Sequence, residues 1–239
     1  MTGMLYGLGV GPGDPELITL KALRLLQAAP VVAYPAPDDG PSFARAIVAG
    51  HLEARRGAPP VEVPIIIPMR AARFPAQQVY DHTAEVLADH LTQGRDVAVL
   101  CEGDPFFYGS FMYLFGRLAD RFPTEVVPGV SSMMTCAAAI GTPLSARNDS
   151  LTVLPAPMAE DKLRAKLENC DAAVVMKLGR NFPKVRKLFD ELGLTDYATY
   201  VERASLENQR VLPLREVPLG TAPYFSMILM HRRGQAWSL

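Results

Sequence analysis

Three short glycine-bearing stretches carry the residues best suited to hold a small molecule. The first is Gly7-Leu8-Gly9-Val10-Gly11-Pro12-Gly13-Asp14-Pro15, directly after an apolar run. Glycines at such a place let a ligand approach the backbone closely. A dinucleotide fingerprint is not met. Counted from Gly9, the third glycine falls on Asp14, and counted from Gly7 it falls on Pro12. Pro12 also lacks the N–H that a pyrophosphate cradle uses. No Gly-Lys-Ser/Thr follows, so the stretch is no P-loop.

The second stretch, Glu102-Gly103-Asp104-Pro105-Phe106-Phe107-Tyr108-Gly109, follows the apolar run 96–101. It offers two glycines, acids able to take an amine or hydroxyl, and three aromatic rings. A plain alternative is a capped turn with Phe106 and Phe107 in the core. The third is Val127-Pro128-Gly129-Val130-Ser131-Ser132, where Ser131 can serve simply as a helix N-cap. Glycine turns at strand ends with no phosphate cradle and little charge suit a small ligand such as S-adenosylmethionine (SAM). The spacing Gly7-x-Gly9-x-Gly11 also matches the loop of Rossmann-type SAM methyltransferases, which leaves that class open.

These turns need rigid elements to position them. Strands are expected at 4–10, 31–34, 61–67, 96–101 and 125–127. Helices are expected from Asp14 to about Ala28 and at 42–53, 76–93, 109–120 and 131–140. The alternation implies a parallel sheet with right-handed crossovers, whose ligands collect beyond the carboxyl ends of the strands. Gly141-Thr142-Pro143 and the polar stretch 145–150 read as a hinge, giving domains of 1–144 and 145–239. Beyond it the pattern predicts strands at 151–154 and 172–178, helices at 161–169 and 183–192, and three closing strands at 198–202, 210–217 and 224–231. That crowding of strands suggests a mixed sheet.

Composition narrows the class. Hydrophobic residues make up 49% and charged residues 21% of the 239 residues, which suits a globular chain with a sizeable core. The 24 basic and 25 acidic side chains leave a net charge of −1, against a nucleic-acid or anionic-membrane partner. Cys101, Cys136 and Cys170 lack metal-ligand spacing and read as free thiols. No metal site is visible, and His51, His82, His90 and His231 lie outside the motifs. No signal peptide or apolar span is read, so a cytoplasmic location is expected.

The ordered set 9–22 (Gly-Val-Gly-Pro-Gly-Asp-Pro-Glu-Leu-Ile-Thr-Leu-Lys-Ala), Gly103-Asp104-Pro105 and 128–132 (Pro-Gly-Val-Ser-Ser) resembles the signature of the tetrapyrrole (corrin/porphyrin) methylases. The likeness continues through Val175-Met176-Lys177-Leu178-Gly179, Val201-Glu202-Arg203-Ala204-Ser205 and Pro223-Tyr224-Phe225-Ser226, and so spans nearly the whole chain. The resemblance implies two α/β domains of the class III SAM methyltransferase type. The N-terminal sheet would be mostly parallel and the C-terminal sheet mixed, with SAM in a cleft between them, in a homodimer.

Carried over by residue, Pro12, Glu102, Gly103, Asp104 and Phe107 would line the SAM pocket, and Ser131 and Ser132 would meet its methionine end. Met176, Leu178, Ala204, Tyr224, Phe225 and Ser226 would come from the second domain. Ser131-Ser132 stands where many uroporphyrinogen-methylating relatives have Thr-Ala, and Glu102 where they have a second Gly. This favours a branch acting on a corrin precursor. A polycarboxylate substrate of that kind calls for cations, and Arg70, Arg73, Arg147, Lys177 and Arg180 are the candidates. Asp104 and Tyr108 are the residues expected to relay the proton that leaves the methylated carbon, with Glu102 beside them. A Rossmann-type small-molecule methyltransferase and a non-catalytic SAM- or tetrapyrrole-binding protein are the readings from other classes.

Overall fold

The structure, a computed structural model, describes residues 1–67 and 73–234, with the side chains of 73–76 left aside. The chain divides into two compact units, Met1–Ser131 and Ser132–Leu239.

In the first unit, strands β1 (Leu5–Gly9), β2 (Val31–Pro37), β3 (Val61–Ile67), β4 (Val97–Cys101) and β5 (Thr124–Val127) form one wholly parallel sheet in the order β3-β2-β4-β1-β5. β4 is buried along its entire length, as an unbroken apolar run in a two-sided sheet requires. Its alternate residues face two separate cores. Val97, Val99 and Cys101 pack with Leu87 and Leu91 of helix α4 (Arg73–Thr92) and with Phe111, Leu114 and Leu118 of α5 (Phe111–Leu118). Ala98 and Leu100 pack with Leu25 and Leu26 of α1 (Leu20–Ala28) and with Ala44, Ile47 and Leu52 of α2 (Phe43–Ile47) and α3 (Ala49–Glu53).

The neighbouring strands β1 and β4 thus lead to helices on opposite faces of the sheet. Between their carboxyl ends the two connections part, which is where an open parallel sheet leaves a crevice.

Two expected helices are interrupted. From Asp14 the chain makes only a 3-10 turn, Pro15–Leu17, and α1 begins afresh at Leu20, because Thr19 Oγ1 accepts the Ala22 N–H as a second N-cap. The expected helix over 42–53 breaks at Val48 (φ −99°, ψ 9°) into α2 and α3.

The second unit carries α6 (Ser132–Ile140), β6 (Leu151–Pro155), α7 (Glu160–Glu168), β7 (Ala172–Met176), α8 (Phe182–Glu191), β8 (Ala198–Glu202), β9 (Arg210–Pro213) and β10 (Ser226–His231). Its sheet is mixed, in the order β6-β7-β10-β8-β9. β6 and β7 are parallel, and β10 is antiparallel to both β7 and β8. α7 and α8 cover one face through Leu163, Leu167, Phe182, Val185, Leu188 and Phe189. α6 packs on β8 and β10, so the contacts place it with the second unit, whereas the polar turn after it was the expected boundary. β9 ends at Pro213, and a 3-10 turn, Leu214–Glu216, replaces the rest of the strand expected to run to residue 217.

Candidate functional site

The three turns singled out in the sequence follow β1, β4 and β5, which are adjacent strands. They interlock. The Val10 N–H donates to the Cys101 carbonyl at 3.0 Å, and the Gly103 N–H donates to the Gly11 carbonyl at 2.8 Å. A Cβ placed on Gly9 would lie 2.5 Å from the Gly129 nitrogen and 2.7 Å from the Gly103 oxygen, and one on Gly129 would lie 2.1 Å from that same oxygen. Backbone meets backbone at Gly9 and Gly129, so neither tolerates a side chain, and Gly103 holds φ 66°, a conformation that favours glycine.

Asp104 fastens the arrangement. Its Oδ1 accepts the Phe106 N–H at 2.9 Å and its Oδ2 accepts the Gly129 N–H at 3.0 Å. With both oxygens so engaged, Asp104 positions two turns against each other. Phe106 is half exposed and Phe107 partly so, which places neither ring in the core. Phe106 meets Phe115 edge-on with centroids 5.1 Å apart, and Phe107 meets Tyr108 in the same way at 5.1 Å. Tyr108 is exposed and sits at φ 56°, a left-handed conformation that a bulky residue rarely adopts. Such strain collects at functional sites.

Glu102, at the end of β4, is the acid with an altered proton affinity. Burial pushes its carboxyl above the ordinary range, while backbone N–H groups of Glu102 itself and Ala44 act in the other direction. Burial also pushes the thiols of Cys101 and Cys136 up to about 11 and about 12, so neither is a thiolate nucleophile near neutrality. Pro12 is half-buried in the first turn; Ser131 directly precedes α6 and Ser132 opens it. Thr135 was not anticipated. Its Oγ1, one turn into α6, is buried without a hydrogen-bond partner.

The charge of these turns decides what they fit. Residues 9–16, 102–110 and 127–131 contain Asp14, Glu16, Glu102 and Asp104 and no Lys, Arg or His. The first turn also spends its Gly11 carbonyl on the second, and the helix N-terminus at Leu20 is capped by Thr19, away from the glycines. A phosphate would meet carboxylates and no cradle. A sulfonium nucleoside, cationic and free of phosphate, fits this donor set.

In the second unit, Pro155 pairs with Met176, Met176 with Met227, Ser226 with Glu202, and Glu202 with Arg210. This register brings Met176, Leu178, Ala204, Tyr224, Phe225 and Ser226 to one end of the mixed sheet. Leu178 is fully buried in that unit's core, so only its backbone faces outward chemistry. Ser226 is buried too, its Oγ donating to the Pro223 carbonyl at 2.6 Å. Tyr224 and Phe225 are exposed and stacked edge to face at 5.1 Å.

Lys177 (φ 59°), Arg203 (φ 51°) and Ser205 (φ 70°) at this end all hold left-handed backbone. Arg180 lies there as well, on the turn after β7. Arg147 is set apart. The turn 146–149 leads into β6 at the opposite end, where Asp149 accepts from the Ala146 N–H at 2.8 Å and meets His231 Nε2 at 3.1 Å. Arg70 lies outside the described residues, and Arg73 opens α4 with its side chain undescribed.

Comparison with known proteins agrees with this geometry. The family model for Tetrapyrrole (Corrin/Porphyrin) Methylases matches residues 4–218. A Sinorhizobium protein named precorrin-2 C(20)-methyltransferase is 44% identical, over 95% of each chain. A cobalt-precorrin-2 C(20)-methyltransferase of Salmonella typhimurium is 31% identical over 98% of each. Among solved structures, uroporphyrin-III C-methyl transferase of Thermus thermophilus, complexed with S-adenosylhomocysteine, superposes with a TM-score of 0.69 at 27% identity, covering 95% of this chain and 92% of that one. The protein is a member of the tetrapyrrole methylase family.

Proposed function

We propose that the protein is the SAM-dependent methyltransferase that methylates precorrin-2 at C20, giving precorrin-3A in corrin biosynthesis. One observation carries the choice of substrate: the 44% identity, over nearly all of both chains, to the Sinorhizobium precorrin-2 enzyme. The more distant cobalt-precorrin-2 relative makes the cobalt-bearing counterpart the alternative to be tested beside it.

Bound SAM supplies an activated methyl group on a positively charged sulfur. The interlocked turns of residues 9–13, 102–109 and 128–131 hold it by backbone groups and place carboxylates near the positive charge. Asp104 keeps the second and third turns in register, so that the methyl is presented in line with the attacking carbon; such positioning is worth up to about 7–11 kcal/mol in well-oriented systems. Glu102, whose carboxyl is raised by burial, takes the proton that leaves C20. Tyr108, held at φ 56°, is the further residue expected to relay that proton. Met176, Ala204 and the backbone of Leu178 serve the nucleoside from their end of the mixed sheet, with Tyr224 and Phe225 as exposed apolar contacts. Lys177 and Arg180 there are the expected cations best placed for substrate carboxylates.

A homodimer in the cytoplasm is the expected setting. Among the described residues no helix is long and apolar enough to cross a membrane, and the three cysteines are buried and free. Light scattering at micromolar concentration gives a dimer mass if the assembly is right.

The decisive experiment incubates the protein with SAM and enzymatically made precorrin-2, with and without cobalt. A trimethylated product by mass spectrometry supports the proposal. SAM binding without methylated product defeats it and points to a sensor.

A further inference from the structure

We propose that Arg203 and Arg210, organised by the buried carboxylate of Glu202, form an anchor for a carboxylate of the tetrapyrrole substrate, a deepening that rests on the function proposed above. Glu202 closes β8, and its side chain is only 4% exposed. Its Oε2 accepts from the Tyr200 hydroxyl at 2.7 Å. Both guanidinium groups come to its other oxygen: Arg203 Nη1 at 3.0 Å and Arg210 Nη1 at 3.3 Å from Oε1.

The charges do not cancel. One carboxylate faces two guanidinium groups, leaving an excess positive charge, and each arginine uses a single N–H of its five in this contact. The arginines are also the exposed members, with side chains 35% and 57% accessible. A second carboxylate arriving from outside would meet a pre-oriented fork on each side, the geometry that makes arginine the residue of choice for carboxylates.

Backbone geometry supports a role beyond structure. Arg203 holds φ 51° where glycine would be unstrained, fixed by its N–H to the Phe225 carbonyl at 2.8 Å. The turn from Arg203 to Arg210 is built to hold its shape: the Leu206 N–H donates to the Arg203 carbonyl at 3.0 Å, and the Ser205 N–H donates to Gln209 Oε1 at 2.8 Å. Arg210 pairs directly across from Glu202. Both arginines therefore stand at the same end of the sheet as Lys177 and Arg180, in a part of the molecule whose turns carry little opposing charge.

The test uses Arg203→Met with Arg210→Met, their lysine counterparts, and Glu202→Gln. Thermal unfolding first establishes that each variant folds. The double methionine variant is expected to raise KM for precorrin-2 about ten-fold or more, with kcat and KM for SAM within two-fold of the parent. The lysine pair restores only part of the loss, and Glu202→Gln falls between. An unchanged KM for precorrin-2 in a folded double variant, or a parallel rise of KM for both substrates, overturns the anchor.

Should the parent fail to methylate precorrin-2, the substrate assignment falls and the anchor is judged by binding alone. Fluorescence titration compares uroporphyrin, with eight carboxylates, and coproporphyrin, with four. Tighter binding of uroporphyrin that disappears in the double methionine variant upholds the arginine pair. Equal binding by the parent, or a preference that survives both substitutions, refutes it.

Discussion

The strand ends of the two sheets carry opposite charge. Beyond β1, β4 and β5 the turns hold four carboxylates and no base; beyond β7 and β8, residues 177–181 and 203–210 hold Lys177, Arg180, Arg203 and Arg210 against Glu207. They also differ in how they are built. The acidic end is joined backbone to backbone through glycines, with one aspartate as fastener. At the basic end, Arg203 and Arg210 are organised by side-chain contacts to one buried glutamate. The difference teaches that the backbone-built acidic end suits a cationic group, whereas the side-chain-built basic end suits an anionic one.

The sharpest way to break this contrast is at the glycines. Gly129→Ala puts a methyl against a backbone oxygen that has nowhere to go. Destabilisation of about 1–3 kcal/mol is expected in urea unfolding, together with loss of S-adenosylhomocysteine binding by calorimetry. Gly50→Ala, in helix α3 with open space around it, is the control: it leaves binding unchanged and raises stability by about 0.4–1 kcal/mol. Next comes Asp104→Ala, which strands two backbone N–H groups. It is expected to cost about 2 kcal/mol and to weaken S-adenosylhomocysteine binding, with Asp104→Asn intermediate. Unchanged affinity in the alanine variant would show that the turn has been given the wrong ligand.

A smaller effect separates the two ends of the mixed sheet. Lys177→Glu is expected to raise KM for precorrin-2 several-fold, in a manner that fades as salt is added, while Arg147→Glu leaves it within two-fold.

The smallest effects are pH-dependent, and they have opposite signs. Glu102 has a raised folded-state pKa, so its neutral form is favoured in the native protein. Relative to Glu102→Gln, the parent loses stability as pH climbs from about 4.5, the unfolded value, through the raised folded value. The same substitution removes the acid limb of the kcat/KM profile. Asp149 behaves in reverse. Arg233, the Ala146 N–H and His231 hold it well below the usual carboxylate range. Its contribution is present above the unfolded value near 3.8 and disappears as pH falls toward the lowered folded one, which Asp149→Asn measures in acid titration of unfolding.

Much of this was legible in the residues. The unbroken apolar run of β4, and its place directly before Glu102, marked a strand end where a ligand belongs. The crowding of strands after residue 197 foretold the mixed sheet. Other features depend on partners far away in sequence. Nothing local to Asp104 reveals that its second oxygen is spent on Gly129, 25 positions on. Nothing local to Glu202 and Arg203 reveals that the β8–β9 pairing sets Arg210 opposite Glu202, whose side chain is buried. The break after Leu17 was hidden because Asp14-Pro15 is itself a convincing helix start, and only the Thr19 cap shows that a second one follows.

The contact among Gly9, Gly103 and Gly129 also orders events during synthesis. A ribosome must release some 130 residues before the last of these three can dock, so the three turns of a nascent first unit do not interlock until the turn after its fifth strand is laid down. The Asp104–Gly129 bond is then a gauge of completion, absent from fragments ending before Gly129 and able to form once that glycine has emerged.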